Sequence, residues 1–166
     1  DVIEWIKLII SWEPNAQIIL HGVSMGAATV LMASGEELPE NVKVIIADCG
    51  YTSEWDEFKC EANALHIPWF PVLNAASVMS ILRDGYDFKQ ACALEKVKQS
   101  RIPTLFIHGS DDELVPYSML DKLYSAAACE KECLTVNGAG HALSSSVEPE
   151  LYWNTVESFI EKYSEK

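Results

Sequence analysis

The stretch that decides the fold is Gln17-Ile18-Ile19-Leu20-His21-Gly22-Val23-Ser24-Met25-Gly26-Ala27-Ala28. It opens with an uninterrupted apolar run, the signature of a strand buried on both faces, and residues 22–26 then read as a tight turn. From Met25 to Ser34 small and apolar side chains dominate (Ala27, Ala28, Val30, Leu31, Met32, Ala33) and Gly35 follows, which predicts a helix buried on most sides. The junction has the form G-x-S-x-G. A nucleophilic serine at such a turn sits in strained backbone, and a side chain at either flanking glycine is expected to crowd it.

Outward from this junction the same alternation repeats. Apolar runs at residues 42–47, 104–108 and 134–137 predict three more buried strands, and helical patterns cover residues 117–128 and 149–163. Buried strands alternating with helices give an α/β fold with a parallel sheet flanked by helices on both faces. Ahead of the junction, Ile3, Ile6 and Ile10 share a helical face, with Asp1, Glu4, Lys7 and Ser11 opposite. This opening helix lacks a capping sequence before it, so an upstream segment is expected.

Residues 52–100 interrupt the alternation. They hold Trp55, Phe58, His66, Trp69, Phe70 and Phe88, a helical pattern at residues 74–82 and no strand pattern. An excursion of this length in a compact domain is expected to be functional, here a helical lid-like insertion. The alternative is a pair of ordinary crossover helices with Val78, Ile81 and Leu82 packed on the sheet.

Composition narrows the function. The 166 residues suit one domain, and 12 Lys and Arg against 25 Asp and Glu give a net charge of −13, which repels phosphate backbones and anionic lipid surfaces. Nucleic acid is not expected as a partner. No run approaches the roughly 18 apolar residues of a membrane span. The five cysteines (Cys49, Cys60, Cys92, Cys129, Cys133) are odd in number and lack a CxxC pair, so they read as reduced thiols rather than a disulfide frame or zinc site. Such thiols suit a cytoplasmic setting. Cys129 and Cys133 flank Glu130-Lys131-Glu132, which reads as an exposed turn.

A serine hydroxyl needs a base, and the base needs a carboxylate to fix its tautomer. His141, in the glycine-rich loop after the last strand, can reach back over the C-terminal edge of the sheet. His21 and His108 stand at strand ends before glycines and read as structural, and His66 belongs to the insertion. Asp112, in the loop after the third strand, reaches the same edge.

The segments HGVSMGAA (residues 21–28), HGSDDELVP (108–116) and GAGH (138–141), in this order, resemble those of α/β-hydrolase-fold serine hydrolases, particularly bacterial esterase-like and prolyl-oligopeptidase-like members. The resemblance covers nearly the whole chain. It implies Ser24 as nucleophile, Asp112 as acid, His141 as base and the Met25 N–H as one oxyanion donor; the competing acids are Asp111 beside Asp112 and Asp48 after the second strand, where some members of the family carry the acid. It also implies further strands ahead of the junction, so the chain is expected to be the C-terminal portion of a larger hydrolase, with its second oxyanion donor upstream. The apolar edge at Gln17-Ile18-Ile19-Leu20 is then expected to be covered by an upstream segment or by self-association with another copy. Trp69 and Phe70 are expected to wall an apolar pocket for a small or medium acyl ester, without metal or organic cofactor. A peptide substrate and a non-catalytic binding or assembly role are the alternatives.

Overall fold

A computed structural model describes residues 1–164. Four parallel strands, β1 (Ile18–Val23), β2 (Val42–Asp48), β3 (Thr104–Gly109) and β4 (Lys131–Val136), lie side by side in chain order. Around them run α1 (Val2–Trp12), α2 (Met25–Ala33), α3 (Glu54–Ala64), α4 (Trp69–Asp84), α5 (Ala93–Val97), α6 (Ser118–Ala126), α7 (Ser144–Val147) and α8 (Pro149–Ser164).

A sheet that grows in one direction through right-handed crossovers stacks its connecting helices on one face. Accordingly α2, α5 and α6 bury Leu31, Val97 and Leu123 against Ile45 and Phe106. The opposite face, Val44, Ile46, Leu105 and Ile107, is covered by Tyr152, Val156 and Phe159 of α8. Each such aliphatic or phenyl side chain stabilises the fold by about 1.5–3 kcal/mol relative to exposure. α1 seals one corner, where Ile6 packs on Ile18 and Val42.

Two strands depart from the sequence-based expectation. Among the described residues β1 is buried on one face only: it pairs with β2 alone, and Ile19, His21 and Val23 face outward with little over them but Tyr152 and Trp153 beside His21. Local sequence cannot show this, because burial of the second face depends on what lies beyond the edge. β4 starts at Lys131, earlier than its apolar run, since an edge strand keeps polar residues in the ladder. The segment between Cys129 and Cys133 is therefore no turn: Cys133 lies opposite Phe106, and the Glu130 carbonyl accepts from the Thr104 N–H.

The segment 52–100 contains α3, α4 and α5. Ser53 caps α3 by accepting from the Asp56 N–H, and Glu54, Asp56 and Glu57 in its first turn complement the helix dipole. α5 enters the core, whereas α4 packs on α3 and leaves Val78, Ile81 and Leu82 exposed at 54%, 44% and 76%. Those three side chains do not rest on the sheet. None of the described helices is long and apolar enough to cross a membrane.

Candidate active site

Ser24 joins β1 to α2 with φ 54° and ψ −117°, a conformation that costs a non-glycine residue about 1–3 kcal/mol. The backbone holds it there: the Ser24 N–H donates to the Asp48 carbonyl (2.8 Å), and the Ala28 N–H donates to the Ser24 carbonyl (3.0 Å). A Cβ on Gly22 would meet the Gly26 carbonyl oxygen at 2.2 Å, so this position admits only glycine without a backbone shift. Gly26 differs from the expectation, because a Cβ there meets nothing within 4 Å among the described residues.

The Ser24 hydroxyl donates to His141 Nε2 at 2.8 Å, and His141 Nδ1–H donates to Asp112 Oδ2 at 2.9 Å. The loops that carry these side chains are locked to one another. The Asp111 N–H donates to the Ala139 carbonyl (3.0 Å) and the Gly138 N–H to Ser110 Oγ (2.8 Å). A Cβ on Gly109 would lie 2.1 Å from the Ala139 oxygen, so glycine lets the end of β3 touch the histidine loop.

Asp112 Oδ1 accepts from the Leu114 and Val115 N–H groups at 3.0 and 2.9 Å. Burial alone would raise this carboxyl, but hydrogen bonding from His108, His141 and the Val115 amide outweighs it and holds Asp112 below the usual carboxylate range. The competing acids face elsewhere. Asp111 is exposed and accepts from its neighbour Ser110, while buried Asp48 accepts from Ser144 Oγ at 3.1 Å and is raised by desolvation. His21 Nε2 lies 3.0 Å from the Tyr152 hydroxyl, and His66 Nδ1 lies 3.1 Å from the Ala64 carbonyl, so neither reaches Ser24.

Met25 is the first residue of α2, where an N–H has no acceptor within the helix. Trp69 lines an apolar cleft of about 350 Å³ with Phe58, Leu65, Leu73 and Phe88, and Glu61 is its one acid. Lys59 Nζ sits 4.6 Å from the Trp69 ring centre. Phe70 is not part of that wall: it is 65% exposed and outside the cleft, whose lining also lacks Ser24 and His141.

Cys49, Asp112 and His141 bring one potential metal-ligating atom each within 4.8 Å of the others. Both nitrogens of His141 already have partners, and burial pushes the Cys49 thiol up to about 12, so it stays protonated. A hydroxyl, an imidazole and an ionised carboxylate in series are instead the parts of an activated nucleophile. Glu57 is buried on α3 with its Oε2 unpartnered among the described residues, and nothing in its exposed-looking helix pattern marks it in the sequence.

The prolyl oligopeptidase family model matches residues 1–166. Among curated proteins the chain is 29% identical over 147 residues to YqkD of Bacillus subtilis (strain 168), an uncharacterized protein; the match covers 88% of this chain and 48% of YqkD. The chain thus spans about half of that relative. Among solved structures it superposes on the Pyrococcus furiosus esterase PF2001 with TM-score 0.73 at 18% identity, covering 98% of this chain and 61% of the esterase. The Pyrococcus horikoshii acylaminoacyl peptidase gives 0.71 at 16% identity, covering 95% and 26%.

Proposed function

The chain belongs to the prolyl oligopeptidase family and has the α/β-hydrolase fold, and from that membership and the site's geometry we propose that it carries the nucleophile of a serine carboxylesterase acting on small or medium acyl esters. The observation that carries this reading is the pair of hydrogen bonds in series, 2.8 Å from Ser24 to His141 and 2.9 Å from His141 to Asp112.

In this mechanism Ser24 Oγ attacks the ester carbonyl carbon as His141 Nε2 takes its proton. Asp112 holds the imidazole with Nδ1–H toward itself and balances the imidazolium that forms. The tetrahedral oxyanion receives the Met25 N–H. Collapse expels the alcohol, which takes the proton from His141, and water activated by the same imidazole hydrolyses the acyl-enzyme. One oxyanion donor of this kind is worth about 10²- to 10³-fold in turnover. The net charge of −13 favours neutral substrates over polyanions.

Peptide cleavage is the second reading, favoured by the family match and by the peptidase superposition, whose TM-score nearly equals that of the esterase. Turnover of p-nitrophenyl esters without cleavage of peptide substrates separates the two. Fluorophosphonate labelling of the full-length protein tests the shared chemistry: the label attaches to Ser24, and its persistence in Ser24→Ala refutes the assignment. A protein that takes no label at all would count against the hydrolase reading and favour a binding or assembly role.

A further inference from the structure

We propose that His108 is a positioning residue for this site: its ring clips the 112–115 turn to the end of β3 and sets an N–H beside the Asp112 oxygen that faces His141. The inference rests on the serine-hydrolase reading and adds a residue to it.

His108 stands next to last in β3 and is 0% exposed. Its Nε2 lies 2.9 Å from the Val115 carbonyl oxygen and 3.3 Å from Asp112 Oδ2. That same Oδ2 accepts from His141 at 2.9 Å, while Oδ1 accepts from the Leu114 and Val115 amides. The turn is therefore tied at its start through the carboxylate and at its end through the Val115 carbonyl, and one imidazole touches both. The Val115 carbonyl can only accept, so Nε2 carries the proton and His108 is the Nε2–H tautomer. Its Nδ1 is then a bare lone pair, and that atom is buried without a partner among the described residues.

Packing does not account for such a group. A leucine or methionine would fill similar space without stranding an acceptor, and a buried unsatisfied polar atom calls for an explanation. Tyr117 contacts the ring edge to face at 5.8 Å, but its hydroxyl is engaged with Thr135. What the imidazole supplies at this place, and an aliphatic side chain does not, is the N–H that bridges carbonyl and carboxylate. Other titratable groups act on this pair from Asp48 and Cys49 at the end of β2, Glu57 on α3 and His141 after β4.

Without the His108 N–H, Asp112 becomes the more basic partner, stabilises the protonated form of His141 more strongly, and is less firmly aimed. His108→Leu is expected to lower kcat on p-nitrophenyl acetate about tenfold, the effect of one lost hydrogen bond of ordinary strength. KM should hold, and the acid limb of kcat/KM should move to higher pH. His108→Gln, whose amide can donate to the Val115 carbonyl, should recover most of the activity and the original limb. A folded His108→Leu protein with the wild-type pH profile would overturn the proposal, as would equal losses in both variants that merely follow lost thermal stability. A readout independent of turnover and of any variant is 15N NMR of histidine-labelled full-length protein. Nε2–H at His108 supports the proposal, and Nδ1–H overturns it. Failure of fluorophosphonate to label the wild type would count against the hydrolase reading, and the NMR result would still decide the tautomer.

Discussion

Asp112 hides its carboxylate completely from water while His141, 2.9 Å away, keeps 22% of its side chain exposed. The carboxylate is thus fixed in the protein interior and the imidazole lies at the solvent boundary. The whole arrangement depends on the acid being charged.

Replacing Asp112 by Asn keeps the shape, removes the charge and offers His141 a donor where it needs an acceptor. On the proposed reading turnover should fall by about 10⁴ while the fold stays intact, as for tautomer-reversing changes in serine triads. Steady-state rates on p-nitrophenyl acetate, with circular dichroism as control, check this. Near-wild-type rates would show that another acid serves His141.

The two glycines of the elbow should behave oppositely. Gly22→Ala forces a Cβ to within 2.2 Å of a backbone oxygen and is expected to destabilise the protein by about 2 kcal/mol or more. Gly26→Ala meets open space inside the first turn of α2 and should be neutral or stabilise by up to about 1 kcal/mol. Urea unfolding of the two variants measures both.

Glu57 gives a pH signature. Desolvation, with repulsion from Glu61 and Asp112, lifts its carboxyl from 4.5 to about 7. The folded chain therefore holds this proton more tightly than the unfolded chain, so stability falls as pH rises from about 4.5 to about 7 and is flat above, by an amount of order 3 kcal/mol. Glu57→Gln should remove that slope, making the variant the more stable protein at pH 8 but not at pH 4.5. Melting temperatures across this range test it; parallel curves would contradict the burial of Glu57.

The unpaired side of β1 should drive association of the 166-residue chain. Sedimentation at micromolar concentration is expected to show dimers or larger species, and Ile19→Lys, which puts a charge on the outward face of the strand, should shift the chain toward monomer. A monomeric wild-type chain would count against this edge as a contact surface.

How far the sequence could be read follows from which features are local. The elbow was legible because strand, turn and helix signals meet at Ser24, and α2 and β2 follow it at nearly the expected boundaries. Three acids, Asp48, Asp111 and Asp112, all come to the C-terminal edge of the sheet, and the resemblance favoured the one that lies against His141. The half-exposed face of β1, the polar start of β4 and the outward turn of Phe70 are set by neighbours far along the chain, and no local pattern carries them. His108 looked structural because its contacts depend on the shape of the 112–115 turn, which the letters of that turn do not display.

The most direct measurement is mass spectrometry of the full-length protein after reaction with a fluorophosphonate, with the modified peptide sequenced. The account predicts a single stoichiometric adduct on Ser24 that forms slowly or not at all once His141 is changed to alanine. An adduct on any other residue, or equal labelling in the His141→Ala protein, would contradict it.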